Sequence, residues 1–167
     1  MRYQTVLLNS SFNRADFICG KSALDDYLQK QATQDIKRKV CAVFVLPHDN
    51  AIIKGYYTLS NGSIPRELVP IETLKKMPKY ANLPTTLLGR LAVDRKFMRM
   101  RVGEFLLLDA FKRSWDVANT SIGSIAVVVD PLDNEAADFY FKYGFTKMLD
   151  SGRMILPMQT IAKLIPL

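Results

Sequence analysis

The sequence predicts an α+β protein in which helices flank a largely antiparallel sheet. Two β-rich runs, "VCAVFVL" and "AIIKGYYTLSNGSI", surround the turn-rich tetrapeptide "PHDN" and predict a hairpin. Two later segments, "VGEFLLLDAFKRSWDVA" and "NEAADFYFKYG", are predicted helices, and the apolar strand "IGSIAVVVD" lies between them. With 167 residues, 49% of them hydrophobic, the chain is long enough for one globular domain, which we predict over residues 1–167.

The N-terminal half supplies a short strand and a long helix. "YQTVLL" is a predicted strand. Ser22 is the predicted N-cap of a helix with Asp25 in its first turn, and helical spacing continues to about Lys37. Residues 65–84 contain four prolines and predict a long irregular excursion.

Towards the C-terminus the helix "NEAADFYFKYG" has Asp133 as its predicted N-cap and ends at Gly144. "FTKMLD" and "RMILPM" are predicted to finish the sheet.

Composition limits the classes of function. No apolar run reaches the ~18 to 20 residues that cross a bilayer, and the segment "MRYQTVLLNSSF" is too polar for a signal peptide, so the expected location is the cytosol. Cys19 and Cys41 are therefore expected to be reduced thiols. A single His48, in the predicted turn, cannot form a zinc cluster with two distant cysteines, and no metal is expected. The net charge of +7 favours nucleic acid, a phosphate-bearing cofactor or an acidic protein as partner.

A basic loop lies between the predicted strand "TTLLGRLAV" and the helix that follows. Four cations, Arg95, Lys96, Arg99 and Arg101, occur there within seven residues. The free N–H groups and dipole of a helix start attract anions, and Gly103 lies where a side chain would obstruct a ligand. The loop therefore suits a cofactor with several phosphates, although spacing alone leaves a solvated turn as the alternative.

Taken together, the order of elements and the segments "FICGKSALDDYL", "GYYTLS", "LLGRLAVD" and "FYFKYGF" resemble the GNAT superfamily of acyl-CoA-dependent N-acetyltransferases. More narrowly, they resemble the acetyltransferase toxins of bacterial type II toxin–antitoxin pairs. The resemblance covers nearly the whole chain. It implies a GNAT fold, a mostly antiparallel twisted sheet flanked by helices with strands splayed at the acyl-CoA site, and acetyl-CoA as cosubstrate without a metal.

One departure from the family's pattern concerns the cofactor loop. The family usually has Gln or Arg, two variable residues, Gly, one variable residue, then Gly or Ala; here the first position is Met98, the middle glycine is Arg101, and only Gly103 matches. Either arginine side chains replace part of a glycine cradle, which we favour, or the loop has degenerated and binds acetyl-CoA weakly. A positive φ at Arg101 would strain it by ~1 to 3 kcal/mol. The resemblance implies these cofactor-binding residues: Leu91, Ala92, Val93, Arg99, Met100, Arg101, Val102, Gly103, Glu104 and Asn134.

Attack of an amine on a thioester needs a donor for the carbonyl oxygen and an acid for the departing thiolate. By resemblance, the donor is a backbone group of residues 91–93, opposite 126–129. Tyr140 is the implied acid, because a phenol with pKa near ~10 matches a thiol leaving group. Tyr143 is its rival, and Asn134 is expected to bond the pantetheine arm.

No strong general base is visible, which favours an acceptor that is already deprotonated near neutral pH. An α-amino group, with pKa ~7.7 to 8.0, meets this condition better than a lysine side chain. The amino acid on a charged tRNA is such an acceptor. Lys37, Arg38, Lys39 and Arg90 are then expected to contact tRNA, with a solvated helix end as the alternative for the first three.

The predicted function is therefore an acetyl-CoA-dependent toxin that acetylates the α-amine of aminoacyl-tRNA, blocks translation and is silenced by a ribbon–helix–helix antitoxin. A homodimer is compatible with the sequence. One alternative is an N-acetyltransferase of a small amine or a protein N-terminus. A second is a non-catalytic GNAT-like binding module, to which Arg101 points.

Overall fold

The computed structural model describes residues 3–49 and 51–166. Met1 and Arg2 of the N-terminal segment, Asn50 of the predicted turn, and Leu167 lie outside the described residues. Contacts group the chain into two compact units, one of Met1–Ser60 with Gly89–Ala110 and one of Asn61–Leu88 with Phe111–Leu167. A single domain over residues 1–167 stays a prediction.

The described residues form a sheet of seven strands in the order β1-β2-β3-β4-β5-β7-β6. The strands are β1 (Val6–Leu7), β2 (Ala42–His48), β3 (Ile52–Pro65), β4 (Asn82–Val93), β5 (Ala126–Val129), β6 (Thr146–Lys147) and β7 (Met154–Pro157). The pairs β1–β2, β2–β3, β5–β7 and β6–β7 are antiparallel, whereas β4–β5 is parallel. The α+β class, the predicted hairpin and the largely antiparallel sheet are thereby confirmed.

Six α-helices accompany the sheet in the described part of the chain. They are α1 (Ser22–Asp26), α2 (Ala32–Lys37), α3 (Ile71–Leu74), α4 (Val102–Thr120), α5 (Asn134–Lys142) and α6 (Met158–Leu164). A π-helical turn, Tyr27–Gln31, joins α1 to α2, and 3₁₀ turns lie at Arg66–Leu68 and Arg95–Phe97. Helix α6 was not predicted from the sequence. None of these helices is long and apolar enough to cross a bilayer.

The first unit is built on the β2–β3 hairpin. β2 pairs with β3 from Ala42↔Leu59 to His48↔Ile52, with a register shift between Leu46 and Pro47. Alternate residues of β2 point into the core, as a half-buried strand requires. On another face of this unit, Gly55 of β3 leaves room for α4, since an added Cβ would lie 2.7 Å from Leu106 Cδ1. The first turns of α4 thus pack closely against β3, next to the end of β4.

Two local expectations in this unit were wrong in detail. Ser22 is the first helical residue and Lys21 is the N-cap, with no side-chain cap. Asp25 instead accepts a hydrogen bond from the Cys19 N–H at 2.8 Å, which ties the preceding turn to the helix. His48 is the last residue of β2 and not part of the turn, because it still pairs with Ile52.

The second unit contains β5 and α5. All four residues of β5 are buried, as is typical of a strand covered on both faces. The Asp133 carboxylate accepts a hydrogen bond from the Ala136 N–H at 2.9 Å, and Gly144 has φ +101° after the helix. The predicted cap and stop of α5 are therefore confirmed. The irregular excursion is also present, although β4 begins at Asn82, earlier than predicted.

Candidate functional site

The basic loop of the first unit begins at a buried aspartate. Asp94 is 5% exposed, and its carboxylate accepts hydrogen bonds from the N–H groups of Lys96 (2.9 Å) and Ile18 (3.1 Å). Its own N–H donates to the Lys54 carbonyl at 2.8 Å, and the Arg95 N–H donates to the Ile18 carbonyl at 2.8 Å. The start of the loop is thus fixed by four hydrogen bonds, whereas the arginines beyond it are exposed.

Two arginines of the loop adopt the left-handed backbone conformation. Arg99 has φ 62° and Arg101 has φ 60°, and both lie just before α4. Non-glycine residues in this region are strained by about 1 to 3 kcal/mol each. The sequence left open whether Arg101 would be strained, and the structure answers that it is. Turns of this kind direct successive backbone N–H groups into an anion-binding concavity.

The side chain of Arg101 does not project freely. Its Nε lies 2.8 Å from Oε2 of Glu104 in the first turn of α4, although the arginine side chain is 82% exposed. Val102 is buried at 2% exposure and Gly103 adds no side chain. A phosphorylated ligand at this helix start would therefore meet backbone N–H groups, the helix dipole and a guanidinium held by a carboxylate. These residues fit the diphosphate of acetyl-CoA.

The strand before this loop carries the predicted thioester-binding residues. Pairing of β4 with β5 runs from Thr86↔Val127 to Leu88↔Val129. β4 then continues through residues 89–93, so Leu91, Ala92 and Val93 follow the last of these pairs along the chain. The expectation placed them opposite 126–129, but that register belongs to Thr86, Leu87 and Leu88.

Arg90 of β4 lies flat on an aromatic ring. Its guanidinium carbon is 3.4 Å from the ring centroid of Tyr27, which is the first residue of the π-helical turn and is 6% exposed. No hydrogen bond or ion pair to Arg90 is found within residues 3–49 and 51–166. A guanidinium stacked in this way keeps its in-plane N–H donors open to a planar or tetrahedral anion.

Tyr27 in turn is anchored to the end of the same helical segment. Its hydroxyl donates to Asp35 Oδ2 at 2.9 Å and lies 3.2 Å from Cys41 Sγ. Burial, followed by these hydrogen bonds, raises the pKa of Tyr27. The hydrogen bond from Gln31 lowers the pKa of Asp35, with smaller contributions from Tyr27 and Arg90.

This network brings Arg90 close to α2, whose end carries the other predicted RNA contacts. Lys37, Arg38 and Lys39 are all exposed, and Lys39, two residues after the end of α2, has φ 62°. The structure therefore gathers the four predicted tRNA-binding cations in one unit.

The predicted acid lies in the second unit. Tyr140 of α5 is 6% exposed and packs edge-on against Phe139 and Phe145, with ring centroids 5.4 and 5.3 Å away. Burial raises the pKa of Tyr140 above its ordinary value. Its hydroxyl has no hydrogen-bond partner in the part of the chain that the structure describes. Tyr140 is thus a protonated, available donor at neutral pH.

The other candidates on α5 differ in exposure. Tyr143 is half-buried beside Phe139 and beneath Lys142, whose Nζ is 5.8 Å from its ring centroid. Asn134 is the exposed first residue of α5.

Tyr27 and Lys54 are not among the site residues that the sequence predicts. The contact of Tyr27 with Arg90 joins residues 63 positions apart, a relation that local sequence pattern does not carry. Among the described side chains, no three of His, Cys, Asp and Glu are grouped to hold a metal ion.

The sequence is similar to those of two bacterial toxins. No protein-family model matches it. The chain is 37% identical over 129 residues to the tRNA-acetylating toxin of Mycobacterium tuberculosis. The aligned residues cover 77% of this chain and 75% of that protein. It is 27% identical over 161 residues to the probable toxin TacT of Sinorhizobium fredii, with 91% and 88% of the two chains covered.

Solved structures agree with these relatives. A crystal structure of a KacT mutant superposes with a TM-score of 0.90 at 25% identity, covering 99% of this chain and 100% of that one. The structure of AtaT complexed with acetyl-methionyl-tRNAfMet has a TM-score of 0.87 at 25% identity, and the match covers 98% of this chain and 99% of that one. The crystal structure of AtaTR bound with AcCoA has a TM-score of 0.84 at 25% identity, and the match covers 97% of each chain. The chain therefore belongs to the family of tRNA-acetylating toxins, acetyltransferases with the GNAT fold.

Proposed function

We propose that this protein transfers the acetyl group of acetyl-CoA to the α-amine of an aminoacyl-tRNA and so stops translation. The observation that carries the proposal is the 37% identity to a tRNA-acetylating toxin over 77% of the chain. A tRNA substrate implies action in the cytoplasm.

Acetyl-CoA is proposed to bind at the start of α4. The N–H groups of residues 99–103 meet its diphosphate, and Arg99 and Arg101 add positive charge beside them. Glu104 orients the Arg101 guanidinium through their 2.8 Å contact. The backbone of Leu91, Ala92 and Val93 holds the thioester end, and Asn134 bonds the pantetheine arm.

Proton transfer is assigned to Tyr140. The amine attacks the thioester carbonyl, the carbon–sulfur bond breaks, and the Tyr140 hydroxyl donates its proton to the departing thiolate. The attacking nitrogen releases one proton to water as it becomes an amide, and the Tyr140 phenolate takes one back from water, so that the enzyme returns to its starting state. The raised pKa of Tyr140 keeps that proton in place at neutral pH. No side-chain base is required, because about half or more of an α-amine with pKa ~7.7 to 8.0 is unprotonated at pH 8.

The acceptor is proposed to lie along the face that carries Arg90 and the end of α2. Arg90, stacked on Tyr27, offers open donors for a phosphate of the tRNA acceptor end. Lys37, Arg38 and Lys39 continue this positive face towards the RNA backbone.

A ribbon–helix–helix antitoxin is proposed as the protein partner, since a toxin of this kind must be held inactive in the cell that makes it. A homodimer is proposed as the assembly of the toxin itself. Co-expression with the antitoxin followed by light scattering of the free and bound toxin tests both statements.

The proposed function is tested by incubating the protein with total charged tRNA and acetyl-CoA and analysing the recovered aminoacyl group by mass spectrometry. We expect N-acetylated amino acid on tRNA with the wild type and almost none with Tyr140→Phe. Acetylation of a small amine or of a protein N-terminus, with tRNA unmodified, would establish the alternative enzyme. If nothing is acetylated and calorimetry detects no acetyl-CoA binding, the protein is a non-catalytic binding module.

A further inference from the structure

Lys54 is a buried cation that the proposed reaction does not use. It lies in β3 and is 8% exposed, among the most deeply buried charged side chains of the first unit. Its ammonium is 4.8 Å from the ring centroid of Tyr3 and 5.4 Å from that of Phe97. No carboxylate or other hydrogen-bond partner of this ammonium is found among residues 3–49 and 51–166.

A cation in this position lacks a counter-charge. An ammonium that leaves water loses hydration, and buried charges in proteins are usually paired with an opposite charge. The two aromatic rings offset part of that loss through cation–π contact. They supply no hydrogen-bond acceptor for its three N–H donors, and no fully buried side-chain nitrogen or oxygen among the described residues lacks a partner, so this ammonium reaches solvent through the adjoining cavity.

Beside Lys54 lies a cavity of about 390 Å³, which is within the range of ligand-binding pockets. Its wall includes polar groups from Tyr3, Gln4 and His48, together with Asp49 at its rim. The Asp49 carboxylate pairs with His48 Nε2 at 3.0 Å and its side chain is 80% exposed, so water screens it. None of the residues assigned above to acetyl-CoA lines this cavity.

We propose that this cavity binds a phosphate group, with Lys54 as its counter-cation. The neighbouring charge favours a phosphate over a neutral ligand, because the 3₁₀ turn that carries Phe97 also carries the exposed cations Arg95 and Lys96. The phosphate comes either from the tRNA backbone, in which case the inference rests on the proposed function, or from a free nucleotide.

The first experiment measures nucleotide binding without any acceptor. Backbone amide shifts are followed by NMR while AMP is added to the full chain in the presence of saturating CoA. We expect saturable shifts at Tyr3, Lys54 and Phe97, and about a tenfold or greater loss of affinity in Lys54→Met. Lys54→Arg and the exposed-lysine control Lys112→Met should bind as the wild type does. Lys54→Gln gives the same comparison should Lys54→Met fail to fold.

The second experiment identifies the source of the phosphate. Affinity for deacylated tRNA is measured at several salt concentrations. If the RNA supplies the phosphate, Lys54→Met should flatten the salt slope by about one unit. If the slope is unchanged while AMP binding is lost, a free nucleotide is the ligand.

Either result supports the phosphate site. The proposal is overturned if Lys54→Met binds AMP and tRNA as the wild type does, or if the AMP-induced shifts are confined to Gly103 and its neighbours. Failure of tRNA acetylation would leave the AMP result in place, since that titration involves no acetyl transfer.

Discussion

At the scale of single residues, Tyr140 is a tyrosine whose ring is almost completely buried. Aromatic rings surround it, and burial raises its pKa, while its hydroxyl has no partner among the described residues. The same burial that stabilises the unit therefore also keeps the proton on the phenol. The raised pKa makes this phenol a weaker acid than an exposed tyrosine, so it gives up its proton only to a thiolate that forms beside it, where the same loss of water also raises the pKa of the thiol.

We expect Tyr140→Phe to lower the rate of acetyl transfer by about 10² to 10⁴ and to leave acetyl-CoA affinity near that of the wild type. Phenylalanine keeps the ring packing and removes only the donor. Single-turnover kinetics and calorimetry measure the two quantities. Tyr143→Phe is the matched control and should retain most of the rate; a full rate in Tyr140→Phe would transfer the role of acid elsewhere.

Arg101 can be tested by separating its charge from its backbone conformation. Arg101→Ala removes the charge and keeps a strained left-handed residue, whereas Arg101→Gly removes both the charge and the strain. If the guanidinium contacts the diphosphate, both variants should weaken acetyl-CoA binding about three- to tenfold and reduce its salt dependence. Calorimetry at two ionic strengths gives the comparison. Tighter binding in Arg101→Gly alone would mean that the loop has degenerated.

At the scale of elements, the helical segment from α1 to α2 is interrupted by the π-helical turn Tyr27–Gln31. Such turns are rare and often lie at functional sites. Here the turn carries the ring on which Arg90 rests, and α2 supplies Asp35 to fix that ring. One helical segment thus both orients a β4 cation and presents the cations at its own end.

Replacing Lys37, Arg38 and Lys39 together by alanine should weaken tRNA binding and flatten its dependence on salt, because fewer phosphates would be neutralised. Acetyl-CoA affinity should not change, since these residues lie on a different element from the cofactor loop. Filter binding across a salt series measures the effect, with the exposed Lys75→Ala in the second unit as control. An unchanged slope would show that this helix end is only solvated.

At the scale of the whole molecule, several buried groups hold their protons more tightly in the folded state. Burial raises the pKa of Cys19 to about 11, and it is also the first cause of the raised pKa values of Tyr27, Tyr56 and Tyr140. In the unfolded chain these groups lose their protons at about pH 9 to 10. The unfolded state then binds fewer protons than the folded state, so stability must fall as pH rises through this range.

We therefore expect the free energy of unfolding to be lower at pH 10.5 than at pH 8. Urea titrations at the two pH values measure it. Cys19→Ala is a useful comparison, because it should reduce the fall in stability between the two pH values by the contribution of this thiol. A stability that is constant or rises over this range would contradict the assignment.

Much of the architecture follows from the sequence. Local periodicity predicts the β2–β3 hairpin, α4 and α5, and a capping residue within a few positions predicts the start of α5 at Asp133. The resemblance to known motifs supplied the acyl-CoA chemistry, and the family assignment was then confirmed by similarity to a tRNA-acetylating toxin.

Other features depend on contacts between distant parts of the chain. Arg101 adopts a left-handed backbone conformation in the connection from β4 to α4. The residue type does not predict this conformation, because arginine rarely adopts it. Arg90 meets Tyr27, and Lys54 meets Tyr3 and Phe97, only because separate elements pack together. The sequence by itself determined which elements form and which chemistry they resemble. The tertiary structure decided which cations are stacked, paired or left without a counter-charge, since burial and the distance between charges exist only once the chain has folded.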